Sequence, residues 1–113
     1  MILVNTTFSI EPSAATSFIG FITRTYIPAA EKDGMYALLL SEMREREDSS
    51  DTQRTFALQM RAPSQDLLDA FSSGTLPKLY RFIGRKWGQK IALFETVLDV
   101  IHDPGNINHE TND

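Results

Sequence analysis

An α+β fold in the order β-α-β-β-α-β is predicted by three features of the sequence. Apolar and polar residues alternate in segments 2–10 and 54–62, the period of a half-buried strand. Apolar residues recur at three- and four-residue spacings in 13–27 and 64–87, the period of an amphipathic helix. Turn-forming pairs punctuate the chain between these runs.

The first strand, 2–10, sets Ile2, Val4, Phe8 and Ile10 on one side and Asn5, Thr7 and Ser9 on the other. Pro12-Ser13 opens the first helix, 13–27, whose stripe is Phe18, Phe21, Ile22, Thr25 and Tyr26. Gly20 weakens its propensity, and Pro28 is expected to end it, because proline pushes the preceding residue out of the helical region. Asp33-Gly34 is a turn, and 35–46 reads as a long second strand that is apolar on both sides from Met35 to Leu40. The polar run 47–53 forms an expected mobile hairpin loop before the return strand 54–62. Pro63-Ser64 begins the second helix, 64–87, with a break expected near 73–77 at Ser73, Gly74 and Pro77. Gly88 is a natural helix terminator, and 90–101 is the last strand. Asp103-Pro104-Gly105 closes it, so a single domain is expected over 1–103, followed by a polar tail, 104–113. One sheet with two helices on one face is the economical packing. Right-handed crossovers then give the ferredoxin-like strand order 4-1-3-2.

Composition narrows the function. The chain has 113 residues, 42% of them apolar, enough for one core. A net charge of -4 argues against nucleic acid as a partner, since phosphate binding needs clustered positive charge. There is no cysteine, which excludes disulfides, thiolate metal sites and cysteine nucleophiles. No Lys or Arg precedes Arg24, so no secretory signal is expected, and no segment is apolar enough to be expected in a membrane. A cytoplasmic location is expected. Phosphate-loop and dinucleotide glycine spacings are absent, no cofactor is expected, and His102 and His109 near the end of the chain make a poor metal site.

Parity divides the sheet residues between two faces. Val4, Phe8, Phe56, Leu58, Met60, Phe94, Leu98 and Val100 are expected under the helices. The other face is expected to carry Leu3, Asn5, Thr7, Thr55, Ala57, Gln59, Ile91, Leu93, Glu95, Val97 and Asp99. A solvated face would be cleanly polar, whereas this one is mixed, so a second copy of the chain is expected to cover it. Leu3, Ile91, Leu93 and Val97 are the expected dimer contact. Asn5, Thr7, Gln59 and Glu95 are the candidate ligand-binding groups should a small molecule be enclosed there. Glu95 and Asp99 share a face four residues apart and could act as an acid/base pair, with Arg61 as a neutralising alternative. Lys78, Arg81, Arg85, Lys86 and Lys90 form an acid-free basic segment, which reads foremost as the solvated face of the second helix.

An ordered set of short segments carries a resemblance. It comprises Ile2 to Ile10, Ile27-Pro28, Gly34-Met35, Phe56-Ala57-Leu58-Gln59, Trp87-Gly88-Gln89-Lys90 and Phe94 to Val100. The set resembles the dimeric α/β barrel superfamily of ferredoxin-like proteins, and within it a short bacterial domain-of-unknown-function family. The resemblance implies a homodimer and brings no established activity. Members often have His where this chain has Tyr26, and a basic residue where it has Glu95. Haem-handling members of the superfamily need a histidine on the second helix, and 64–87 contains none. Two functions follow as expectations. The first is a binding or structural module built on a sheet-to-sheet homodimer. The alternative is a cofactor-free monooxygenase- or isomerase-like enzyme acting on a small, partly apolar molecule.

Overall fold

The computed structural model describes residues 1–44 and 52–104. The elements are β1 (Ile2–Ile10), α1 (Pro12–Phe21), a π-helical turn (Ile22–Tyr26), α2 (Ile27–Lys32), β2 (Tyr36–Glu42), β3 (Arg54–Ala62), α3 (Gln65–Ser73), α4 (Thr75–Trp87), a 3-10 turn (Gly88–Lys90) and β4 (Ile91–Asp99). They form one antiparallel sheet of order β2-β3-β1-β4 with the helices on one face, the ferredoxin-like α+β fold. Most of the expected loop 47–53 and nearly all of the expected tail 104–113 lie outside the described residues.

β1 occupies the sheet interior and pairs over its whole length with β3 and with β4. Val4, Phe8 and Ile10 are buried beneath the helices together with Phe56, Leu58, Met60 and Ala62 of β3. Phe18 packs against Phe8 and Trp87 at ring-centroid distances of 4.9 and 5.4 Å. The Trp87 indole N–H donates to Ser17 Oγ at 3.1 Å, joining the two helical bodies. A Thr75 hydroxyl donating to the Asp33 carboxylate makes a second tie between them.

Three local features depart from the expectations. The first helical body does not stop before Pro28 but runs on to Lys32. Proline lacks an N–H and crowds the carbonyl four residues back, and the wider π turn just before it relieves both conflicts. β2 ends at Glu42 rather than at 46, and its register shifts between Tyr36 and Leu39. That bulge places Ala37 at φ 53° and explains why neither side of 35–40 shows a clean alternation. The third departure concerns β4. Its residues opposite the buried side of β1 are the odd-numbered ones: Ile91 faces Ile10, Leu93 faces Phe8, Glu95 faces Thr6 and Val97 faces Val4. The parity expected for this strand is therefore off by one. Ile91, Leu93, Glu95, Val97 and Asp99 lie on the helix side, and Phe94 and Leu98 lie on the open face.

The second helical body breaks at Gly74, inside the expected window, and Gly88 ends it with φ 53° and ψ -125°, a backbone region essentially reserved for glycine. Gly88→Ala is expected to lower the unfolding free energy by about 1–3 kcal/mol, the cost of a forced backbone conformation. Gly84 sits within exposed α4 turns, and a methyl there would meet no atom within 4 Å. Gly84→Ala is expected to raise stability by about 0.5–1 kcal/mol through helix propensity. Urea denaturation of both variants checks the two opposite signs.

Candidate functional site

The helix side of the sheet holds a line of polar groups running from the core to the surface. Thr6 is buried at the centre of β1, between Val4 and Phe8. Its cross-strand neighbours are Leu58 on β3 and Glu95 on β4. Tyr26, at the end of the π turn, is fully buried. The buried series Phe18, Ile22, Tyr26 and Ala30 has a strict four-residue step, from which a regular helix of 3.6 residues per turn drifts. The wider turn compensates for that drift and keeps Tyr26 aimed at the sheet. Half-buried Tyr80 of α4 donates its hydroxyl proton to Glu95 Oε2 at 3.2 Å.

The Tyr26 hydroxyl has no hydrogen-bond partner. The hydroxyls of Thr6 and Tyr80 are near enough to influence its proton affinity, yet neither meets hydrogen-bond geometry with it. Burial, followed by Tyr80 and the Glu95 carboxylate, raises its proton affinity far beyond the ordinary phenol range. Burial and then the Glu95 carboxylate push Tyr80 up to about 12. Both phenols are thus neutral donors across the physiological range. An unpaired buried hydroxyl costs about 1–3 kcal/mol, which marks this as a place where stability is forgone.

The structure divides the expected ligand-binding groups. Asn5, Thr7 and Gln59 lie together on the open face, where Asn5 Nδ2 donates to Thr7 Oγ1 at 3.2 Å and Asn5 is opposite Gln59. Glu95 lies on the other side of the sheet. Of the expected dimer-contact residues, Leu3 is on the open face. Ile91 is buried in the core of the chain, Leu93 packs against that core, and Val97 is exposed on the helix side. Glu95 and Asp99 do share a side, but Arg61 is on the opposite one and bridges Asp103 at 2.8 Å. His102 is exposed, and among the described residues no group of three metal-ligating side chains occurs. Lys78, Arg81, Arg85, Lys86 and Lys90 are all exposed. No helix among the described residues is long and apolar enough to cross a membrane. An open recess of about 530 Å³ between the helical bodies is lined by Lys32, Asp33, Gly34, Leu67, Ala70 and Thr75 and contains none of these groups.

The open face is more apolar than parity had indicated. Phe94 is 62% exposed, Leu39 56%, Leu98 44% and Tyr36 43%. Leu98 and Arg61 flank Leu3, Phe94 and Ala57 flank Thr7, and Tyr36 and Leu39 extend the same face onto β2.

Thr6, Tyr26 and Tyr80 are not among the candidates the sequence offers, because the two tyrosines fit apolar helical stripes, and Glu95 was expected on the opposite face. A signal was nevertheless present: Thr6 is a polar residue at a core position of β1, and two of the stripe residues that close over the sheet are Tyr rather than Phe.

Residues 1–101 match the family described as Domain of unknown function (DUF4286), and the chain belongs to that family. None of the curated proteins matches it. Among solved structures it is similar to a Deinococcus radiodurans protein assigned provisionally to the antibiotic biosynthesis monooxygenases (TM-score 0.70, 11% identity, covering 91% of this chain and 95% of that one). It is also similar to a dimeric ferredoxin-like protein from an uncultured marine organism (TM-score 0.66, 8% identity, 90% and 96% covered). A third is Rv0793 from Mycobacterium tuberculosis (TM-score 0.63, 21% identity, 91% and 97% covered). At these identities the likeness establishes the fold.

The phenol line generates a pH dependence. Below pH 10 Tyr80 is protonated whether the chain is folded or not; between 10 and about 12 it ionises only in the unfolded chain. Stability is therefore expected to fall as pH rises through that window, and Tyr80→Phe to flatten part of the fall. Chemical denaturation at a series of alkaline pH values measures it.

Proposed function

We propose that the protein is a homodimeric binding module in which two copies stack their open sheet faces. The observation that supports this reading is the exposure of Tyr36, Leu39, Phe94 and Leu98 on one uncovered face. Covering each large side chain fully would contribute about 1.5–3 kcal/mol, and a two-fold axis covers the same patch on both copies at once. Leu3 stays at the contact, whereas Ile91, Leu93 and Val97 give way to Phe94 and Leu98. Asn5, Thr7 and Gln59 are the polar groups enclosed among them, so the interface is partly wet and able to hold a small molecule. The solved structure described as dimeric ferredoxin-like supports the same assembly by analogy of fold. A cytoplasmic location accompanies this proposal. The enzyme alternative rests on the names of distant structural neighbours, which carry the fold and no chemistry.

Leu39→Lys combined with Phe94→Lys is expected to convert the dimer to a folded monomer, read by sedimentation velocity with circular dichroism as the folding control. Val97→Lys, on the helix side, is expected to leave the dimer intact. A wild-type monomer at micromolar concentration would refute the proposal.

A further inference from the structure

The geometry points to a second site, independent of the dimer face: we propose that Tyr26, Tyr80 and Glu95, over Thr6, bind the carboxamide group of a small neutral molecule entering beside the C-terminal half of β4. Three observations converge on it. The Tyr26 hydroxyl is fully buried and unpartnered, so a donor waits for an acceptor. Glu95 is exposed and engages Tyr80 through a single 3.2 Å bond, which leaves its other oxygen free to accept. Val97, next along the same side of β4, is 51% exposed and offers an apolar wall that the helices leave uncovered.

The chemistry of the donors selects the ligand. Tyr26 supplies a proton and Glu95 supplies lone pairs, so the complementary group carries an acceptor and a donor side by side. A carboxamide does so on two adjacent atoms: its carbonyl oxygen accepts from Tyr26, and its N–H donates to Glu95. No hydrogen bond joins Tyr26 to Glu95 directly, and both neighbour Tyr80. An anion is disfavoured because it would sit beside the Glu95 carboxylate. An ammonium group would have to shed its water next to a fully buried phenol that offers no charge. Tyr80, half-buried and held by one long bond, is the cover that turns aside on entry.

The experiment uses the intact protein, with benzamide as the probe and benzoate and benzylammonium as its charged counterparts. Nuclear magnetic resonance titration is expected to show benzamide shifting Thr6, Tyr26, Tyr80 and Glu95, with either counterpart at least about tenfold weaker, the factor that 1.4 kcal/mol represents. Tyr26→Phe removes an unpartnered hydroxyl, so its melting temperature is expected to equal or exceed that of the wild type while benzamide binding weakens about tenfold. Glu95→Ala, at an exposed position, is expected to fold normally and to lose binding similarly. Absence of localised shifts up to the solubility limit of benzamide, unchanged binding by folded Tyr26→Phe, or equal binding of benzoate would each overturn the proposal. Because the probe site lies across the sheet from the dimer face, the outcome is read separately from the association state of the Leu39→Lys, Phe94→Lys variant.

Discussion

β1 is hydrogen-bonded along its full length to two antiparallel neighbours, and this double pairing decides which side of the sheet every residue of β3 and β4 faces. A shift of one residue in either pairing would transfer a whole strand's side chains to the other face. The burial of Val4, Phe8 and Ile10 against Phe18 and Trp87 opposes such a shift. Thr6 is drawn into the same buried row by its position, and with it comes the placement of Glu95 beside it on β4. The polar line on the helix side is thus a consequence of the register, not a separate construction.

Much of the architecture is legible in the residues. β1 and β3 alternate cleanly, because one of their faces is a core and the other is not, and their ends agree with the structure. β4 misleads because both of its sides are apolar: Ile91, Leu93 and Val97 on one, Phe94 and Leu98 on the other. Alternation then has no contrast to report, and the side is settled by cross-strand pairing and by the turn at Gly88, where Glu11 N–H donates to Lys90 O at 2.9 Å. β2 misleads for a different reason, since a bulge inserts a residue and resets the alternation midway. The helix through Pro28 could not be read either. Its continuation depends on a π turn whose signature is only the four-residue step from Phe18 to Ala30.

Asn5, Thr7, Gln59 and Glu95 were legible as polar sheet residues, but the company that Glu95 keeps was not. Tyr26 and Glu95 come from separate elements, and the structure brings both against Tyr80. A Tyr26 hydroxyl without a partner, at the end of an irregular turn, is a local conflict that packing alone would have resolved with phenylalanine. Asn5, Thr7 and Gln59 show the converse case: their mutual neighbourhood follows directly from parity on two well-read strands.

The two sheet edges bear on how a second copy can approach. The free edge of β2 carries the bulge and the positive φ of Ala37, which twist its hydrogen-bonding groups away from a straight partner strand. The free edge of β4 carries Glu95 and Asp99, and two such edges meeting would bring like charges together. Edge-to-edge extension is opposed on both sides, while the open face between the edges presents Tyr36, Leu39, Phe94 and Leu98 to solvent. The apolar surface left on this fold can therefore be covered by a face far more readily than by a strand. In the proposed dimer, that asymmetry gives a closed pair, in which each copy's open face is used once and no further copy can add.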